Sequence, residues 1–420
     1  MTDTVIEETT QKTAHTRRHH AMGFWIVALC FVTVMAFATV PTPLYILYQQ
    51  RDGFPTFTIT IIFAAYGAGV MLALWLAGHL SDTRGRRTML LVSLLLEALA
   101  AALFLVWKDV SGLIAARLVT GLGVGVLTAA ATAHLGELRV ASTGDPETAG
   151  GAIVAAGAVN IGGLGLGALA GGALAKLAPA PLITPYAVFA ALLVVAFLAT
   201  LTVPETVGSD RATSPYRPQS LRAPAGKIRQ FTAAGAGIFA SMAVLGVFTS
   251  LAPTFLAGTF HITDRLVSGA ITFSVFAAAA LAQVVTAKAP LPRQITAAGT
   301  LIVSGMAALA LGATLHMPWL FITGGIAAGA GVGLLFRAST GTASSLVTPH
   351  LRGGVLAAIF LIGYVGMTIP VISAGALLLV THQLPVLLGF TAVVVVLSVW
   401  SATRLHTVHA PKAHHRSSTP

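Results

Sequence analysis

The chain has 420 residues, of which 56% are hydrophobic and only 9% charged, against roughly 25% charged in an ordinary soluble domain; a water-soluble globular protein is excluded. Its formal net charge of +11 does not imply nucleic-acid binding, because the basic residues sit in loops and tails rather than on one helix face. The single cysteine, Cys30, lies inside the first apolar run and excludes an intrachain disulfide.

Apolar runs of about 20 residues, each able to cross a hydrocarbon core of roughly 30 Å as a helix, recur along the chain. They predict twelve spans, at roughly 22–44, 58–80, 88–107, 112–136, 149–175, 182–203, 230–255, 267–287, 294–315, 318–340, 353–380 and 384–403. The expected fold is therefore an all-α integral membrane bundle, since a closed barrel would need short alternating strands. Residues 1–21 are polar and mixed in charge, which argues against a cleavable signal. With an even span count, both termini share one face with Arg17, Arg18, Arg84, Arg86, Arg87, Arg139, Lys288, Arg293, Arg352 and Arg404. The opposite loops hold only Arg51, Lys108 and Arg265, with Lys176 at a helix end. The positive-inside rule then makes the basic face cytoplasmic, in a plasma or inner cell membrane.

The first span ends Pro41-Thr-Pro43-Leu-Tyr45, where proline can expose backbone carbonyls; Tyr45 is read either as cavity rim or as interface aromatic. Between spans two and three runs Gly78-His79-Leu80-Ser81-Asp82-Thr83-Arg84-Gly85-Arg86-Arg87. Gly78 suits close helix approach, Asp82 needs a partner near a helix C-terminus, and Gly85 suits a sharp turn. This run resembles the major facilitator superfamily signature G-x-L-x-D-R-x-G-R-R/K, with Thr83 where the family has arginine. The resemblance implies a secondary transporter of two six-helix pseudo-symmetric bundles working by alternating access. It also implies a gating latch at Asp82, Arg84, Arg86 and Arg87, for which Glu137 is either an ion-pair partner or a solvated helix end.

Further along, Glu97 lies near mid-membrane in the third span, read as a proton carrier, as a partner of Arg117, or as a structural hydrogen-bonding group. Arg117 opens Arg117-Leu-Val-Thr-Gly121, which resembles the family's R-x-x-x-G motif of proton coupling; the bland alternative is an arginine snorkelling to the interface. The fifth span carries Gly163, Gly165, Gly167, Ala168, Gly171 and Gly172, resembling the antiporter motif G-x-x-x-G-P-x-x-G-G with Ala168 in place of proline. Independently of function, Gly163, Gly167 and Gly171 share one face suited to tight packing. Tyr66, Asn160 and Tyr364, like Tyr45, are polar groups in apolar runs and candidate cavity residues; Arg337 in the tenth span either pairs across the bundle or snorkels.

The stretch after Pro204 is rich in Pro, Ser and basic residues and cannot build a core. It sets the expected organisation: a tail at 1–21, a bundle at 22–203, a linker at 204–229, a second bundle at 230–403 and a tail at 404–420. A half-chain echo supports duplication, with Gly121-Leu-Gly123-Val-Gly125 matched by Gly329-Ala-Gly331-Val-Gly333. The histidines of the tails show no ligand spacing, so no metal is expected. A phosphate-binding loop of the G-x-x-x-x-G-K-S/T form and a nucleophile with a matched base are both absent from the sequence, so no cofactor and no enzyme activity are expected.

The resemblance extends to drug:proton antiporters, whose first span often carries the proline feature seen at Pro41 and Pro43. The expected function is proton-coupled export of a small amphipathic compound by a monomer in a lipid bilayer, with partners limited to substrate and protons and no nucleic acid. The alternatives are proton-coupled uptake of a small metabolite and, from a different class, a membrane sensor that binds without transporting.

Overall fold

The structure is a computed structural model that describes residues 2–77, 80–207, 224, 226–348 and 352–409, with backbone alone for 2–15, 81–82 and 408–409. It is all-helical: α1 (Thr2–Thr39), α2 (Tyr45–Asp52), α3 (Thr56–Ala77), α4 (Leu80–Arg84), α5 (Arg86–Val106), α6 (Val110–Thr143), α7 (Thr148–Leu177) and α8 (Thr184–Thr200) form one half. The other half contains α9 (Ile228–Ser250), α10 (Ala252–Phe260), α11 (Arg265–Val285), α12 (Leu291–Thr314), α13 (Pro318–Ser345), α14 (Arg352–Leu377) and α15 (Gln383–His409). Among the described residues, eleven apolar stretches are long enough to cross a membrane, and α8, with 17 residues, supplies a shorter twelfth. Together they make a twelve-helix bundle.

The helix ends differ from the sequence expectation where local chemistry permits continuation. α1 runs back to Thr2, because residues 2–20 contain neither glycine nor proline to stop it. α6 continues to Thr143, where Gly144 in the left-handed region ends it (φ 75°); Glu137 therefore lies inside a helix rather than at its end. Asp109 begins α6 by accepting a hydrogen bond from the Gly112 amide at 2.9 Å. That bond holds its carboxyl below the usual carboxylate range.

The halves repeat one another in detail. In the first, α6 packs on α3 and α5, and α1 on α6, α7 and α8; in the second, α13 packs on α11 and α12, and α9 on α13, α14 and α15. Both opening spans break at proline. α1 passes through a tight turn at Thr42–Leu44, flanked by Pro41, into α2, and α9 passes at Leu251 into α10, which carries Pro253. The glycine echo has equivalent partners too. A Cβ on Gly121 or Gly125 would strike α3, and one on Gly329 or Gly333 would strike α11, the corresponding helix.

The halves meet through two crossed pairs, α3 with α14 and α7 with α11. These contacts lie toward the face opposite the termini. Toward the basic face the halves separate.

Candidate functional site: the central cavity and its two ends

The separation leaves a cavity of about 1410 Å³ open at the basic face. Its lining comes from both halves and is mostly Ala, Gly and branched aliphatic side chains, with Phe336 and Phe360 (ring centroids 6.1 Å apart) on one wall. The polar lining falls in two groups: Asn160 on α7, Gln283 on α11, Arg337 and Thr340 on α13 and Thr128 and Thr132 on α6, and a charged set that includes Arg86, Glu137 and Glu205. A concave chamber with apolar walls and discrete polar groups suits a small amphipathic molecule.

Of the tyrosines expected there, none lines the chamber; Asn160 does. Tyr66 and Tyr364 pack on each other across the halves, centroids 6.4 Å apart, above the closed end. Tyr45 is buried at the start of α2. The physical reason is that α3 and α14 spend these faces on sealing the bundle: a Cβ on Gly67 would collide with Thr368, and one on Gly375 would stand 2.5 Å from Thr60 Oγ1.

The seal continues along α7. Gly163, Gly167 and Gly171 face α1, where added Cβ atoms would strike Met35, Ala36 and Val40, while Gly165 and Gly172 face Phe276 and Arg265 of α11. Ala168 meets Gly269 of α11 at the crossing. With alanine there, α7 is one continuous helix. A proline at 168 would free the Leu164 carbonyl, and Thr39 of α1 donates its hydroxyl to that same carbonyl at 2.5 Å. At the outer rim Lys176 at the end of α7 pairs with Asp264, the N-cap of α11, joining the two halves. The hydrogen bond from Lys176, then those from the Val267 and Leu266 amides, hold the Asp264 carboxyl below its usual range.

At the basic end, the signature loop is organised around α5. Gly85 adopts φ 99°, a conformation costly for any side chain. Arg86 pairs with Glu137 of α6 (Nη2–Oε1 3.1 Å), and Thr206 donates its hydroxyl to Glu137. Arg84 is exposed, and Thr83 donates to Leu80 O at 3.2 Å, a local cap in place of the family's arginine. Gly78 and the Asp82 side chain lie outside the described residues.

Glu205 was not anticipated. Its carboxylate accepts from the amides of Arg86 (2.8 Å) and Arg87 (3.1 Å) at the start of α5, where helix geometry favours an anion. Arg87 in turn donates to the Val203 carbonyl at 3.3 Å, and His134 lies 3.0 Å from Pro204 O. Residues 204–206 are thus part of the first half's surface. The sequence signal was an acid directly after Pro204, at the start of a stretch rich in basic residues.

Two ionisable side chains are buried in the first half, and neither lines the cavity. Glu97 is 0% exposed, and neither carboxylate oxygen has a hydrogen-bond partner among the described residues. It rests against Gly123, whose Cβ would come within 2.9 Å of its carboxyl carbon. Arg117 is 1% exposed; Nη1 donates to Ala38 O at 2.5 Å, and the guanidinium lies 4.6 Å from the Tyr66 ring centroid and 5.7 Å from that of Phe63. Arg117 therefore does not snorkel. Glu97 and Arg117 form no ion pair with each other among the described residues. Arg337 forms no ion pair across the bundle among the described residues; it reaches the end of α11, donating to Gln283 O (2.6 Å) and Ala287 O (2.9 Å).

Two matched halves, proline-broken opening spans and a cavity closed at one end are the architecture of a membrane transporter. The sequence profile described as Major Facilitator Superfamily matches residues 24–371, and the chain belongs to that family. Among solved structures it is similar to the human organic anion transporter MFSD10 (TETRAN), with TM-score 0.68, 15% identity, 91% of this chain and 99% of the other covered. It is equally similar to a point mutant of the nucleoside transporter NupG, with TM-score 0.68, 14% identity and the same coverage. Compared by sequence with curated proteins, the chain has no significant match.

Proposed function

We propose that this secondary transporter exports small amphipathic compounds in exchange for protons, as the drug:proton antiporter branch does, from a plasma or inner cell membrane with both termini cytoplasmic. The observation that carries the proton reading is Glu97. A charged carboxylate buried without a donor costs several kcal/mol, so this cavity-open state is the one in which Glu97 carries its proton. Arg117, one helix away and held by Ala38 at the break in the first span, senses the movement of that break. The apolar chamber supports an amphipathic substrate, and its opening on the basic face supports loading from the cytoplasm.

The steps follow. Substrate enters from the basic face as Glu97 releases its proton there; the Arg86–Glu137 and Glu205 contacts keep the first half rigid as the halves rock, and the Lys176–Asp264 pair and the tyrosine contact part; substrate leaves, a proton from the outer side binds Glu97, and the protonated carrier returns to the cavity-open state seen here. One chain supplies both walls of the cavity, which supports a monomer as the transport unit.

Flux in reconstituted vesicles tests this. Permanently charged naphthalene probes, 1-naphthalenesulfonate and (1-naphthylmethyl)trimethylammonium, are offered to vesicles with an imposed pH gradient. Accumulation in an acidic lumen is expected from antiport. Accumulation only in an alkaline lumen would favour uptake by symport, and binding without gradient-driven flux would favour a sensor.

A further inference from the structure

The cavity carries an unbalanced positive charge at its second-half wall. Its lining acids are Glu137 and Glu205, and both are spent: Glu137 on Arg86, Glu205 on the amides that open α5. Arg337 lines the same space, half-buried, and no carboxylate pairs with it among the described residues. Its two donations to the carbonyls ending α11 fix the guanidinium in place without neutralising it. A fixed, always-charged planar donor in a largely apolar chamber is a recognition group for carboxylate, sulfonate or phosphate.

Two neutral amides stand with it. Gln283, whose backbone carbonyl Arg337 holds, points its side-chain oxygen at α7, 3.3 Å from where a Cβ on Gly157 would stand. Asn160 lies one turn further along α7 and also lines the cavity. Phe336, adjacent to Arg337 in sequence, and Phe360 supply an aromatic wall. The arrangement spans both halves, with α7 on one side and α11, α13 and α14 on the other.

The geometry points to Arg337, Gln283 and Asn160 as a binding site for the anionic head of an amphipathic organic anion, its apolar body against Phe336 and Phe360. This rests on the reading of the cavity as the transport site. An anion bound there bridges the halves, drawing α7 toward α13. It also separates substrate charge recognition, on the second half, from the proton site at Glu97, on the first.

The test is equilibrium binding to the purified full chain in nanodiscs, without any pH gradient, so that a failure of proton coupling leaves its outcome unaffected. Three probes share one ring system: 1-naphthalenesulfonate, the neutral 1-naphthalenesulfonamide and (1-naphthylmethyl)trimethylammonium. The parent is expected to bind the sulfonate about tenfold or more tighter than the amide, as a charge-assisted contact would give. Arg337→Gln removes that preference and leaves amide binding in place. Because Arg337 also closes α11, a second variant, Thr340→Asp, sets an acid one turn along α13 and neutralises the guanidinium while keeping the cap; it too should lose the preference. A parent that fails to favour the sulfonate, whether both probes bind or neither does, overturns the proposal. So does a preference that survives in both variants.

Discussion

At the residue scale, the two halves differ most tellingly where they should be alike. Gly123 of α6 and Gly331 of α13 occupy matching places in the echo, and each leaves room for a side chain of the neighbouring span. Gly123 faces Glu97 of α5; Gly331 faces Ile302 of α12, whose Cγ1 would lie 2.8 Å from an added Cβ. The acid is thus a departure from the repeat, confined to one half. Overpacking by a methyl should cost about 1–3 kcal/mol; Gly123→Ala meets only the Glu97 side chain, whereas Gly331→Ala also meets backbone at Ile302 N and Ala298 O, so Gly331→Ala is expected to lower the unfolding temperature more. Only Gly123→Ala should also alter the pH dependence of transport. Thermal unfolding together with a pH–rate profile checks this, and an equal change of profile in both variants would count against Glu97.

At the scale of elements, the start of α5 and the outer ends of α7 and α11 serve opposite ends of the cavity. Glu205 holds two amides of α5, and neutralising it leaves the dipole uncompensated. Glu205→Gln should destabilise by about 1 kcal/mol or less and slow turnover more than it weakens probe binding. Comparing transport rate with equilibrium binding tests that split, and a loss of affinity as large as the loss of rate would refute it. At the other end, Asp264→Asn removes the ion pair with Lys176 while keeping an N-cap side chain. Spin labels placed at the outer ends of α7 and α11 should then show longer distances; an unchanged distribution would mean that the pair does not bias closure. The signature loop and the glycine face of α7 were legible because their physics is local, a sharp turn and a small-residue stripe. Glu205 was not, since its partners at α5 lie more than a hundred residues away in sequence. Nor was the role of Arg337, which depends on where α11 ends.

For the whole molecule, hydropathy and the half-chain echo carried the number of spans and the duplication. Neither could say which faces of such uniformly apolar helices seal and which line the cavity. Tyr66 and Tyr364 show why: a tyrosine in an apolar run satisfies a cavity and a closed interface equally well, and only the crossing of α3 with α14 decides. The same crossing logic makes the α7–α11 contact a point of control. Gly269 approaches Ala168 so closely that Gly269→Leu should hold the halves apart at the outer end. That variant is expected to bind probe from the outer face and to lose transport nearly completely, and side-specific labelling of the cavity checks it.

The central claim, that Glu97 links proton movement to the rocking of the halves, is tested most directly by Glu97→Gln in vesicles loaded with 1-naphthalenesulfonate or the quaternary ammonium probe. The amide keeps the shape of the protonated acid but cannot release a proton. Exchange of labelled for unlabelled probe is expected to persist, while an acidic lumen no longer drives accumulation. Accumulation in Glu97→Gln equal to that of the parent would contradict it.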